Sequence, residues 1–163
     1  MSKHTLSVMV ENEPGVLSRV AGLFSGRGFN INSLNVAPTL EKDVSLMTIV
    51  AEGDDAIIEQ IVKQLRKLIP TIKVKDLTEL NSVDREMVLI KVNAEDSKRA
   101  EILRIVDIFR CKVVDVSADE LTIEITGDQS KIGAIVNLLT RFGIKEIART
   151  GNVAMQRSMQ IEL

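Results

Sequence analysis

The sequence predicts an α+β protein built from two consecutive βαββαβ units. Three observations point there. Short stretches in which apolar residues alternate give way to stretches in which they recur at three- and four-residue spacing, and the order strand, helix, strand, strand, helix, strand occurs twice in 163 residues. Gly, Pro, Asn and Asp punctuate the joins between those stretches. Hydrophobic residues make up 45% of the chain and charged residues 27%, so a core can form and the chain is globular rather than disordered.

The first strand is read from Leu6, Val8 and Val10 alternating with Thr5, Ser7 and Met9. Asn12-Glu13-Pro14-Gly15 is a turn, and Val16, Leu17, Val20, Ala21, Leu23 and Phe24 then mark one face of a helix. Pro14 suits a first helical turn, where its missing N–H is no loss, and Gly26 and Gly28 stand where that helix should stop. Strands follow over about Asn30 to Pro38 and Val44 to Glu52, with Thr39 to Asp43 as the hairpin loop between them. A second helix runs from about Asp54 to Ile69. Its acids lie at the positive end, and Lys63, Arg66 and Lys67 near the negative end. Pro70 closes it, and Ile72 and Val74 alternate with lysines in a last strand.

The same order returns as a repeat of pattern rather than of letters. Met87 to Asn93 is a strand, and Asp96 or Ser97 caps a helix carrying Ile102, Ile105, Val106 and Phe109. Lys112 to Ser117 and Leu121 to Thr126 are strands. Asp128 or Ser130 opens a helix with Ile132, Ile135, Val136, Leu139 and Phe142, and Ile144 to Arg149 is the final strand. The polar stretch from Leu80 to Arg85 is the connector, giving domains at 1–79 and 84–163.

Composition excludes several functions. The net charge is −2, with nine basic and ten acidic side chains in residues 1–80 and twelve and thirteen in 81–163, and no Lys/Arg run exceeds two. A nucleic-acid binder needs a clustered basic surface, and the four Phe that make up all the aromatic content offer no stacking platform. A single cysteine, Cys111, excludes an internal disulfide and a Cys-rich zinc site, and a single histidine argues against a Ser-His-Asp triad. The opening Met-Ser-Lys-His-Thr-Leu lacks a signal core and no apolar run approaches the roughly 20 residues of a membrane span, so a cytoplasmic location is expected.

A βαββαβ unit carries both helices on one face of an antiparallel sheet. Met9, Met47, Ile49 and Ala51 are read here as sharing the face opposite Val8, Leu46 and Val50, so that both faces are apolar. Leaving such a face in water is unfavourable by about 25 cal/mol per Å². It is expected to be buried against a second copy of the chain or covered by the second domain.

No catalytic constellation stands out. Asp54-Asp55 reads as a helix cap, Glu11 and Glu13 as solvated loop charges, His4 as a surface residue and Cys111 as a small apolar residue. Gly22, Gly26 and Gly28 end a helix instead of opening one and are not followed by Lys-Ser/Thr, so they make no phosphate loop.

The informative corner is the first turn and helix start, together with the strand beginning at Asn30. Asn12 offers a donor and an acceptor, and Gly15 has no Cβ to keep a ligand from the backbone. The helix start at Gly15, Val16 and Leu17 leaves N–H groups free, and its dipole favours an anion. Asn30 and Ile31 open the next strand. Two amides, bare N–H groups and aliphatic neighbours match a free aliphatic amino acid. The same residues also read as an ordinary Asn-x-Pro-Gly turn and an ordinary Gly-x-Asn helix exit, and spacing alone does not decide between them.

These residues carry a family resemblance. Glu11-Asn12-Glu13-Pro14-Gly15-Val16-Leu17-Ser18-Arg19-Val20 is similar to the helix-start motif of ACT domains. With Gly22 to Leu34, Val36-Ala37-Pro38-Thr39 and Met47-Thr48-Ile49, it resembles the regulatory small subunits of acetohydroxyacid synthase, also called acetolactate synthase. Asp84-Arg85-Glu86, Phe109-Arg110, Lys112-Val113-Val114-Asp115-Val116 and Ala148-Arg149-Thr150-Gly151 agree, so the likeness covers essentially the full length. It implies an N-terminal ACT domain, a ferredoxin-like C-terminal domain and a homodimer formed through the ACT domains.

The resemblance further implies a large catalytic partner subunit carrying thiamine diphosphate, magnesium and FAD, which this chain activates and makes sensitive to valine, leucine or isoleucine. Asn12, Gly15, Val16 and Leu17 of one chain, with Ser18 supporting the turn, would meet Asn30 and Ile31 of the other at a shared effector site. Val16 stands where family members vary and is expected to trim the pocket. No cofactor is expected on this chain. The alternative is a stand-alone amino-acid-sensing ACT module that regulates another enzyme or transcription.

Overall fold

The computed structural model describes residues 2–158. They form β1 (Ser2–Glu11), α1 (Val16–Ser25), β2 (Asn30–Pro38), β3 (Val44–Gly53), α2 (Asp55–Lys67) and β4 (Thr71–Asp76). There follow β5 (Ser82–Asn93), α3 (Asp96–Ile108), β6 (Lys112–Val116), β7 (Glu120–Gly127), α4 (Gln129–Thr140), β8 (Ile144–Arg149) and β9 (Val153–Gln156). The strand order is β2-β3-β1-β4 in the first antiparallel sheet and β6-β7-β5-β8 in the second. This is the α+β double βαββαβ arrangement that the periodicity predicts. No helix among the described residues is long and apolar enough to cross a membrane.

The compact units are not cut where the composition suggests. One holds residues 2–83 together with 152–158; the other is 84–151. Residues 152–158, expected within an 84–163 domain, therefore pack with the first unit, and 159–163 lie outside the described residues. The reason is a short fifth association. Ala154 is only 3% exposed, Lys75 Nζ donates to Gln156 Oε1 at 3.2 Å, and the Arg157 N–H donates to the Asn81 carbonyl at 2.8 Å.

In the first unit the core lies between the sheet and both helices. Leu6, Val8 and Val10 of β1 join Met47, Ile49 and Ala51 of β3, Val74 of β4, and the buried faces of α1 (Val16, Val20, Phe24) and α2 (Ile58, Ile61, Leu65). The expected grouping of Met9 with Met47, Ile49 and Ala51 is corrected by the register. Val8 pairs with Met47 and Leu6 with Ile49, and residues directly opposite in an antiparallel pair point to the same side. The far face instead carries Ser7, Met9, Leu46, Thr48 and Lys75. β9 crosses that face, leaving a groove of about 220 Å³ bordered by Met9, Leu46 and Leu77.

The second unit repeats the plan. Val88, Ile90 and Val92 of β5 and Leu121, Ile123 and Ile125 of β7 pack against Ile102 and Ile105 of α3 and Ile132, Ile135 and Leu139 of α4. Asp128 caps α4, its Oδ1 accepting from the Lys131 N–H at 2.9 Å. The cap of α3 is Glu95, with no side-chain bond, rather than Asp96 or Ser97.

Candidate functional site

The turn after β1 is fixed by backbone bonds to two neighbouring loops. The Glu11 N–H donates to the Pro70 carbonyl at 2.8 Å and the Asn12 N–H to the Asp43 carbonyl at 2.7 Å. The chain then reverses through Gly15 at φ 84°, a left-handed conformation that glycine adopts without a steric penalty, and α1 begins. That start has neither a side-chain cap nor an acid in its first turn. The Val16 N–H reaches the Glu13 carbonyl only at 3.5 Å, and the N–H groups of Leu17 and Ser18 have no backbone acceptor among the described residues. A Cβ at Gly15 would meet nothing within 4 Å, so the space above these donors is open. Unpaired donors at the positive end of a helix dipole attract an anion.

Asn12, Leu17 and Ser18 are exposed around this opening. Val16 is not: its side chain lies in the core, so it offers its backbone and cannot trim a pocket as expected. Asn30 is exposed at the first residue of β2, and Ile31 is half-buried against the core. The pairing of β2 with β3 slips between Ile31 and Ser33, a bulge that re-aims the side chains beside Asn30. Behind Asn30, the ring of Phe29 lies over Gly53; a Cβ built there would fall 1.8 Å from the ring.

Within one chain the two groups are far apart. Asn30 pairs with Glu52, which pairs with Lys3 at the start of β1, whereas Asn12 follows the other end of β1. Nine residues of strand at ~3.3 Å each separate these ends by about 30 Å. The structure therefore assembles Asn12, Gly15, Val16, Leu17 and Ser18 at one end of the sheet and Asn30 and Ile31 at the other. Asn30 and Ile31 lie on β2, one of the two edge strands of the sheet, whereas Asn12 follows β1, which β3 separates from β2.

Sequence reasoning missed His4. It is 8% exposed, not a surface residue. Its Nε2 lies 2.8 Å from Asp55 Oδ1 and its Nδ1 3.4 Å from Asp76 Oδ2. Ser2 also donates to Asp55, and the hydrogen bonds from Ser2 and His4 hold that carboxyl below its ordinary value. The signal was available, because His4, Leu6, Val8 and Val10 share one parity and hence one face. Asp54 caps α2 as expected, accepting from the Ala56 N–H at 2.9 Å. Partial burial pushes the Cys111 thiol up.

Residues 6–73 match the family model of the AHAS small subunit-like ACT domain and residues 85–158 that of the small subunit of acetolactate synthase. The probable acetolactate synthase small subunit of Archaeoglobus fulgidus is 58% identical over 95% of this chain and 97% of its own. That of Aquifex aeolicus is also 58% identical, over 98% of this chain and 84% of its own. The crystal structure of the small subunit from Thermotoga maritima superposes with a TM-score of 0.87 at 47% identity, covering 98% of this chain and 100% of that one.

Proposed function

The chain belongs to the acetolactate synthase small-subunit family, and on that premise we propose that it is a cytoplasmic regulatory subunit with no active site of its own. It raises the activity of a catalytic partner, to which the thiamine diphosphate, magnesium and FAD of the reaction are assigned, and it makes that activity sensitive to valine, leucine or isoleucine.

The observation that carries this reading is the placement of the two asparagines. One chain keeps Asn12 and Asn30 at opposite ends of a sheet whose outer strand, β2, has an unpaired edge. An antiparallel β2–β2 pairing of two copies would set the first residues of one β2 beside the last residues of the other, at the end where Asn12 lies. Each dimer would then hold two corners. In each, the free N–H groups of α1 and the Asn12 amide of one chain face Asn30 and Ile31 of its partner. The donors take the effector's carboxylate, the asparagines its polar groups, and Ile31 and Leu17 its aliphatic side chain. Because each corner draws on both chains, the effector favours one dimer arrangement over another. It regulates to the extent that its affinity differs between them.

The test is reconstitution. Adding this chain to the catalytic subunit should raise acetolactate formation, and a branched-chain amino acid should lower it again. Calorimetry of the isolated chain should give one site per protomer. A catalytic rate unchanged by saturating chain overturns the reading.

A further inference from the structure

The face of the first sheet turned away from its helices keeps a recess. The groove of about 220 Å³ beside β9 has apolar walls from Met9, Leu46, Leu77 and Met155. Leu77 is buried, whereas Met155 stands at the rim, 69% exposed. The polar lining comes from Ser7, Lys73, Lys75 and Gln156, and no carboxylate is among the lining side chains.

Register sets the two lysines side by side. Lys73 pairs with Met9 and Lys75 with Ser7, so both rise from β4 on the groove's side of the sheet. Alternate residues of a strand are about 7 Å apart, a separation that two long side chains close around one carboxylate. Lys75 is half-buried, and its Nζ donates to Gln156 Oε1 at 3.2 Å. That bond uses one of three ammonium protons and leaves the amide N–H groups of Gln156 as further donors. Among the described residues neither lysine forms an ion pair. Glu11, two residues beyond Met9 on the same side of β1, is exposed and pairs with neither.

The second unit shows that the fold does not require this arrangement. There β5 and β8 stand where β1 and β4 stand in the first sheet. The corresponding groove holds one lysine, Lys91, which meets Glu146 at 3.4 Å, with Asp115 also in the lining. That unit neutralises its own cation. In the first unit a half-buried lysine and its neighbour face apolar surface with no acid to match them, although buried lysines are ordinarily paired.

We propose that this groove is a second binding site, apart from the corner at α1, for a small aliphatic carboxylate that carries no amino group. The carboxylate lies between Lys73 and Lys75 with the Gln156 amide as a third donor, and the alkyl chain lies on Met9, Leu46 and Leu77. A free amino acid is disfavoured, because its ammonium would stand beside two lysines with no carboxylate to receive it. At about 220 Å³ the groove is smaller than the roughly 300 Å³ at which drug-sized pockets begin, which limits the occupant to a small molecule.

The experiment uses the full-length chain with labelled methionine methyl groups. The probes are 4-methylpentanoate and leucine, which differ by the amino group alone. In an NMR titration 4-methylpentanoate should shift the methyls of Met9 and Met155 saturably and leave Met87 of the second unit in place. Leucine should leave Met155 in place. A Lys73→Gln/Lys75→Gln variant should bind 4-methylpentanoate at least tenfold more weakly. Lys63→Gln/Lys67→Gln, which removes the same charge from exposed positions of α2, should bind it as the wild type does. Neither pair of lysines belongs to the core, so both variants should keep the wild-type circular dichroism spectrum. Three results overturn the proposal: no saturable shift at Met9 and Met155, an equal shift of Met155 with leucine, or equal affinity of the Lys73→Gln/Lys75→Gln variant.

Discussion

His4 Nε2 lies 2.8 Å from Asp55 Oδ1, joining the first strand to the start of the second helix. Asp76 Oδ2 stands on the other side of the ring at 3.4 Å, and Thr78 donates from its N–H and its hydroxyl to the other oxygen of that carboxylate. Ser2 Oγ at 3.1 Å from Nε2 and Thr78 Oγ1 at 3.4 Å from Nδ1 complete the polar surroundings of the ring.

A pH dependence follows. Asp55 is held below its ordinary value of about 3.8, so the unfolded chain binds this proton more readily than the folded one. The stability that Asp55 contributes is thus fully present above that value and is lost as the pH falls through its lower folded value. An Asp55→Asn variant should melt below the wild type at pH 7, and the gap should close as the pH is lowered through 3.8 and beyond. Thermal denaturation at a series of pH values checks this; a gap that stays constant into acid would remove the carboxylate's role.

At Gly15, Asp should tolerate the left-handed backbone better than most residues, yet its carboxylate would sit over the N–H groups proposed to receive the effector. Gly15→Asp should therefore weaken valine binding at least tenfold. Gly15→Ala should weaken it less, because it adds strain without charge. Calorimetry on the isolated chains distinguishes the two, and equal losses would point to strain alone.

The two-chain site makes a sharper prediction. Asn30→Ala should weaken effector binding by about 1–3 kcal/mol if its amide is buried on binding. In a mixed dimer of Asn12→Ala with Asn30→Ala chains, one corner would lose both asparagines and the other would keep both. Calorimetry of such mixed dimers should recover wild-type affinity at half the sites. If the two residues acted within one chain, no site would recover.

Gly53 gives a packing prediction. A methyl there would fall 1.8 Å from Phe29 Cε1, so the ring must leave its place next to Asn30. Gly53→Ala should destabilise the fold by about 1–3 kcal/mol, as overpacking does. Chemical denaturation measures it; an unchanged midpoint would mean that the ring has room to move.

The double βαββαβ order was legible because the periods of two and 3.6 are written in residues such as Leu6, Val8 and Val10 or Ile132, Ile135 and Leu139. The caps Asp54 and Asp128 were legible for the same local reason. What depended on pairing was not. The face shared by Val8 and Met47 is set by register, which no single strand reveals. The four residues of β9 carry no period of their own and form a strand because they pair with β5. Of the candidate site, the glycine turn and the uncapped helix start could be read from Asn12 to Ser18. That Val16 points inward was legible too, since it stands four and eight residues before Val20 and Phe24 on the same face.

Since residues 152–158 complete the unit that begins at the amino terminus, synthesis and folding run in different orders. Residues 2–83 are made before residues 152–158, which join them in one compact unit. A nascent chain halted at the connector would therefore carry Met9 and Leu46 on a face without Ala154, Met155 and Gln156, which later form the other wall of the groove there.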